Sequence, residues 1–393
     1  MNLKQDYSVE KETERVSRNS SQTSEKGGAN NKGKSTIYDE SATRDSFYYF
    51  KKVFSTIRCW FDSEAGASTL SDSREFNWFR VFPFLLLHVS VLGVIWVGWS
   101  PFAVGFAIAF YFFRMFAITG IYHRYFSHKT YNLNRFWQFI FALWGALCCQ
   151  RGALWWAAHH RHHHKYSDTE DDIHSPVQNG FWWSHMGWFT ADVSFKTPFE
   201  YIKDFAKYPE LRFLNRFDIL VPVLCGVAIF YLGVFLEAYV PSLGTSGGQL
   251  LVWGMFISTI LLFHGTVTIN SLSHIFGKKR FDTSDNSRNN IWLAIITMGE
   301  GWHNNHHRYP ATARQGFYWW EIDATFYVLK FLSFLGIVKN LKPVPQTIYK
   351  EVEELEKERS REKQRSLIMT QQKKNREQKK KVKQKSRKKE VVS

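Results

Sequence analysis

Cysteine is scarce in this chain. Four occur in 393 residues (Cys59, Cys148, Cys149 and Cys225), with no CxxC pair and no scaffold spacing. That excludes a disulfide framework and thiolate ligation of an iron–sulfur cluster. It leaves free thiols in a reducing compartment or in apolar surroundings. No glycine-rich dinucleotide fingerprint and no HPGG haem-binding segment occurs, so neither of those redox carriers is expected to be held here. The N-terminus lacks the apolar core of a signal peptide. Charge is missing over long stretches: residues 82–99 contain none, and residues 102–122 contain only Arg114.

What is present divides into three unlike parts. Residues 1–45 are rich in Ser, Asn, Lys, Glu and Gly; they hold too little apolar surface to offset the entropy of ordering and are expected to be disordered. Residues 47–61 mix aromatics with Lys51, Lys52 and Arg58, which suits a helix lying on a membrane surface or one capping the fold. Together 1–75 form a polar tail plus an interfacial segment. Residues 346–393 form a charged, helix-prone, lysine-rich tail. From 351 onward it holds 16 Lys and Arg against 8 acidic residues, half of the net charge of +16. Association with anionic lipid and simple solubilisation are both open for it.

Between the tails, residues 76–345 read as a membrane domain. Four runs, at about 82–99, 102–122, 220–240 and 250–269, are long and apolar enough to cross a bilayer. Short turns join them in pairs at Ser100-Pro101 and from Pro241 to Gly248. An arginine inside a span is costly, so Arg114 is read as structural, either snorkelling or in a buried pair. Two further apolar stretches, 136–149 and 326–338, are too short to cross and read as interfacial or re-entrant. The expected fold is an all-α integral membrane protein, four transmembrane helices with a cytosolic helical cap.

Histidine is used far beyond the needs of packing. Five of the six residues 159–164 are histidine. On a helix His160, His163 and His164 stand at i, i+3 and i+4 and share one face. The same triplet recurs at His303, His306 and His307, with Glu300 one turn ahead as a candidate carboxylate partner. His123 and His128 leave the second span five residues apart, and they converge only if the helix ends or bends between them. Asn270 and His274 leave the fourth span on one face. A solvated, histidine-rich turn is the bland reading of any one cluster. The acidic residues at 168–172 read mostly as a solvated loop, and in part as carboxylates that hold the distal nitrogens of metal-bound histidines.

Topology joins these clusters. Four spans put both tails, the long central loop and everything after the fourth span on one side, which the Lys and Arg bias marks as cytoplasmic. All four clusters then share that face. Nine of the 15 histidines belong to them, too many for one zinc, which takes about four ligands. Two metals are the economical answer. Nitrogen-rich, thiolate-free ligation suits iron, zinc or copper. A centre beside an apolar interior points to chemistry on a lipid chain. Two irons with O2 can take hydrogen from a methylene, whereas a zinc pair would need an ester or amide and no such histidine excess.

The boxes HRYFSH (123–128), HRHHH (160–164) and HNNHH (303–307), together with NSLSH (270–274), resemble the membrane fatty-acid desaturase family. Within it they are most similar to the acyl-CoA Δ9, stearoyl-CoA branch and its bacterial members, over about residues 80–345. The resemblance implies a di-iron centre held by His123, His128, His160, His163, His164, His274, His303, His306 and His307, with Asn270 reaching a metal through water. It implies O2- and electron-dependent removal of two hydrogens from a saturated acyl chain lying in a buried apolar tunnel, which leaves a cis double bond. Gln150 and Trp156 stand where the family has residues near the acyl thioester. His159 and His162 are extra. The Arg-Asp pair with which vertebrate members help hold coenzyme A is replaced by Ala158-His159, so acyl-CoA is the expected carrier while acyl-lipid and acyl carrier protein stay open. A separate electron donor is implied, a ferredoxin or cytochrome b5, which the basic face can dock. Membrane lipid is the other expected partner; nucleic acid is not. The expected location is the bacterial inner membrane, or the endoplasmic reticulum if the source is eukaryotic. Two rivals remain: a related di-iron hydroxylase, and a histidine-rich metal transporter. The transporter would need ligands at mid-membrane in polar spans.

Overall fold

The computed structural model describes residues 54, 57–67 and 70–390; the tail 1–45 and much of the segment 47–61 lie outside the described residues. Among the described residues there are no β-strands, only helices and turns. Four helices are long and apolar enough to cross a membrane: α1 (Trp78–Val97), α2 (Pro101–Ser127) and, after α3 (Arg135–Ala146), α4 (Ala153–Tyr166) and α5 (Pro209–Arg216), the pair α6 (Leu220–Tyr239) and α7 (Gly247–His274). Local chemistry sets their starts. Ser100 caps α2, its Oγ accepting from the Ala103 amide at 3.1 Å, and Pro101 fills the first helical position. In the most apolar window of α2 and α7, 44% and 50% of residues are buried, against 6% and 17% in α1 and α6. The first two are therefore the inner helices.

Both inner helices run further than their apolar stretches, to Ser127 and His274. Apolarity marks where lipid lies, whereas these helices continue because the cap buries their last turns. From Ala117 to Ser127, α2 is wound as a π-helix, and the amide of His128 donates to the carbonyl of His123 at 3.2 Å. A π turn bonds i to i+5, so residues five apart fall on one side. Arg114 of α2 is buried, but its partners are two hydroxyls and the Leu147 carbonyl, none of them charged. It donates to Thr259 Oγ1 at 2.6 Å and Ser258 Oγ at 2.8 Å, beneath the ring of Phe110.

The cap consists of α3, α4 and α5, then α8 (Ile291–Ile296), α9 (His303–Arg308) and α10 (Ala324–Phe334). Neither α3 nor α10 crosses. Trp144 of α3 stacks on Phe113 of α2, with ring centroids 4.5 Å apart. The last helix, α11 (Gln346–Glu390), buries Ile348 and Val352 against Phe281 and Phe317 and is exposed from 356 to 381.

Candidate metal centre

The helix α4 starts at Ala153 after Gly152, and the amide of Trp155 donates to Asn215 Oδ1 at 2.7 Å. From that start, helical periodicity turns His160, His163 and His164 toward α2, α7 and α9. His159 points elsewhere, its Nε2 3.1 Å from the Lys196 carbonyl, and His162 packs on Tyr166 and Tyr201. The short helix α9 is pinned from behind. Asn304 Oδ1 accepts from the amides of Arg280 and Phe281 at 2.7 and 2.8 Å, and Asn305 Nδ2 donates to the Gln315 carbonyl at 2.9 Å. Gly301 lets this stretch lie on α8; a Cβ there would stand 2.1 Å from the Ala294 amide nitrogen.

All nine candidate histidines meet in two adjoining groups. His123, His128, His160, His164 and His306 form one; His163, His274, His303 and His307 form the other. Each i, i+3, i+4 triplet feeds both groups. Helix α4 gives His160 and His164 to the first and His163 to the second; α9 gives His306 to the first and the other two to the second. His164 stacks on His307 where the groups touch, centroids 4.5 Å apart.

The nitrogens are spaced as ligands. Nε2 to Nε2 is 3.0 Å for His123–His306, 2.9 Å for His128–His160, 2.9 Å for His164–His306 and 3.1 Å for His274–His303. Two nitrogens each about 2.1 Å from one metal, at right to tetrahedral angles, lie about 3.0–3.4 Å apart. His307 Nε2 is buried with no hydrogen-bond partner, which a metal would relieve. The residues present therefore fit a pair of metal ions.

Four carboxylates fix the rings. The Nδ1 of His163 meets Asp172 at 2.9 Å, that of His274 meets Asp168 at 2.9 Å, that of His307 meets Asp285 at 2.6 Å, and that of His123 meets Glu300 at 2.5 Å. A proton held at Nδ1 leaves the Nε2 lone pair facing inward. Glu300 is itself held by Arg124, which also pairs with Asp323. Burial pushes His160, His164, His303 and His306 well below the ordinary imidazole range, which keeps them neutral and able to donate an electron pair. Burial also pulls at His163, but Asp172, together with Asp168 and Asp285, more than reverses it and the net direction is upward. Burial opposes ionisation of Asp285, yet hydrogen bonds from His307 and Ser287 hold it well below the carboxylate range. Four buried negative charges are the counter-charge that two divalent cations need.

Beside the clusters lies a mostly apolar cavity of about 820 Å³, whose wall includes His160, Asn270, Gln150 and Trp156. Trp156 stacks on His160 at 5.1 Å, and Gln150 Nε2 donates to Thr266 Oγ1 at 2.9 Å. Of the residues 168–172, Glu170 and Asp171 are exposed loop, while Asp168 and Asp172 hold rings. Asp285 was invisible to sequence reasoning, since nothing in DTSDNS marks one acidic residue over another. Three further histidines, His88, His264 and His185, form a hydrogen-bonded line that ends on Ser271; they do not converge on one point.

A family model described as Fatty acid desaturase matches residues 97–332. The chain is 38% identical over 278 residues to an sn-1 stearoyl-lipid 9-desaturase of Synechocystis sp., covering 69% of this chain and 81% of that protein. It is 34% identical to an sn-2 palmitoyl-lipid 9-desaturase of Nostoc sp., covering 70% and 93%. It is 33% identical to an acyl-CoA 5-desaturase of Anemone leveillei, covering 71% and 86%.

Proposed function

Because the chain belongs to the fatty acid desaturase family, we propose that residues 76–345 form a di-iron desaturase that places a cis double bond at position 9 of a saturated fatty acyl chain. The observation that carries this reading is the division of nine histidines into groups of five and four beside an apolar cavity. His123, His128, His160, His164 and His306 would hold one iron; His163, His274, His303 and His307 would hold the other, with Asn270 acting through water. With O2, two electrons and two protons, the bound irons supply the oxidation that removes two hydrogens from adjacent methylenes and releases two waters.

The residues around the irons have separate tasks. Asp168, Asp172, Asp285 and Glu300 keep a proton on Nδ1 of their histidines and so aim Nε2. Gln150 and Trp156 bound the cavity next to His160 and orient the chain there. Apolar walls keep bulk water from the reacting methylenes. Electrons come from a separate donor such as a ferredoxin or cytochrome b5, at a face that the Lys and Arg bias assigns to the cytoplasm. The names of the Synechocystis and Nostoc relatives favour a lipid-linked chain. Acyl-CoA is the second reading, favoured by the name of the Anemone relative.

Expression in a desaturase-deficient host, with chromatographic mapping of double-bond position, tests the proposal. A 9-monoene is expected, and His163→Ala should abolish it. An alcohol without an alkene would replace desaturation by hydroxylation. Zinc uptake into vesicles by a protein that retains no iron would point to transport.

A further inference from the structure

The cavity beside the histidines is not closed by the helices that wall it. Its apolar arm is lined by Phe84 and Leu87 of α1, by Val223, Val227 and Tyr231 of α6, and by Met255 of α7. Val223, Val227 and Tyr231 are 51%, 49% and 64% exposed, too much for the inner wall of a sealed tunnel. Helices α1 and α6 both lean on α7, and the cavity lies between them. A slot between α1 and α6 therefore connects the cavity with the hydrocarbon phase.

The polar end of the same cavity has an unusual charge balance. Trp60, Ser63, Arg80, Arg151 and Asp218 line it. Arg151 is paired with Asp218 at 2.8 Å. Around it Arg58 and Arg216 are paired with Asp62, Arg212 with Glu64, and Lys196 with Asp72. Arg80 differs. Its guanidinium donates to the Ala65 carbonyl at 2.6 Å and lies over the ring of Phe195; Asp192 acts on it at longer range, but among the described residues no carboxylate is in ion-pair contact with it. A guanidinium has five N–H donors, so most of these are left for a ligand. Arg80 is the third residue of α1, at the depth where a span meets lipid head groups, and Trp60 beside it is a residue type favoured there.

We infer that the slot admits an acyl chain sideways from the bilayer while the phosphate of its own lipid rests on Arg80, so that the substrate is a chain of a membrane phospholipid. The inference rests on the desaturase reading and names the carrier. Charge decides among carriers. A phosphodiester brings one negative charge to one unpaired cation. Coenzyme A brings several phosphates, and each neighbouring cation is already engaged by a carboxylate, Arg58, Arg212 and Arg216 sharing Asp62 and Glu64. A galactolipid brings none and would leave a half-buried guanidinium without a counter-ion in contact, which is costly.

The test uses the iron-loaded full chain in lipid nanodiscs with a reducing electron donor. Three carriers of the same saturated chain are compared: phosphatidylglycerol, monogalactosyldiacylglycerol and coenzyme A. The phospholipid chain should be desaturated with the highest kcat/KM. Arg80→Gln should raise the apparent KM for phospholipid about tenfold, the loss of one charge-assisted hydrogen bond, with kcat and bound iron unchanged. Arg80→Lys should recover most of it. Val227→Trp, which fills the slot, should lower kcat/KM for bilayer-borne chains without changing iron content. Preference for the coenzyme A carrier, or an Arg80→Gln effect as large on the galactolipid as on the phospholipid, would overturn this inference alone. Absence of alkene from every carrier with the parent protein would overturn the desaturase reading beneath it.

Discussion

Asp285 lies in the loop between His274 and His303, outside every histidine box, yet it is the most tightly held of the four carboxylates. It accepts from the Ser287 amide at 3.0 Å and from Thr283 Oγ1 at 2.8 Å, and its other oxygen takes the Nδ1 proton of His307 at 2.6 Å. These bonds fix the oxygen, the oxygen fixes the ring, and the ring presents an Nε2 with no other partner. Asp285→Asn keeps the shape and removes the charge. Such outer-shell changes typically weaken metal binding by about 10–100-fold, so iron per chain, read by elemental analysis after dialysis, should fall. Asp171→Asn, on an exposed loop of the same acidic character, should hold iron as the parent does. Equal iron in both would remove Asp285 from the centre. Residue types and spacings showed where the nine imidazoles stand in the chain. They did not show which carboxylates orient them, because that pairing exists only once distant loops are brought together.

At the scale of elements, the winding of α2 is what brings His123 and His128 to the same group. An ideal α-turn sets residues five apart about 140° around the axis, whereas the π-wound stretch from Ala117 to Ser127 realigns them. The sequence shows the spacing but not the winding, since α and π turns share one apolar pattern; the spacing predicts a helix that ends or bends between the two histidines, and instead it continues and widens. The support is α3. Gly145 lies so close to α2 that a Cβ would stand 2.0 Å from the ring of Tyr122, the residue before His123. Gly145→Val therefore forces Tyr122 aside and tilts the first histidine. Overpacking of this kind typically costs about 1–3 kcal/mol. A lower thermal midpoint together with iron lost from the five-histidine group is expected. A variant as stable and as iron-rich as the parent would show that the winding does not depend on this contact.

At the scale of the whole molecule, the spans were the most legible part and the cap the least. Long uncharged runs need only their own composition to be recognised, whereas α4, α9 and the loops between them are positioned by contacts such as Asn304 to Arg280 and Phe281 that no local pattern announces. The orientation we propose rests on charge and parity. The turns 98–100 and 240–246 carry no charged residue, while residues 351–393 carry 16 basic and 8 acidic ones. Basic segments stay on the cytoplasmic side, so we propose that the C-terminal helix and the metal centre face the cytoplasm. A single cysteine at Ser242, exposed in the turn between α6 and α7, should react with a membrane-impermeant maleimide in intact cells. A cysteine at Thr370, exposed on α11, should react only after permeabilisation, each measured above the labelling of the parent chain. The reverse pattern would turn the metal centre away from cytoplasmic electron donors. Labelling of both sites from one side would break the four-span parity that sets all four histidine clusters on a single face.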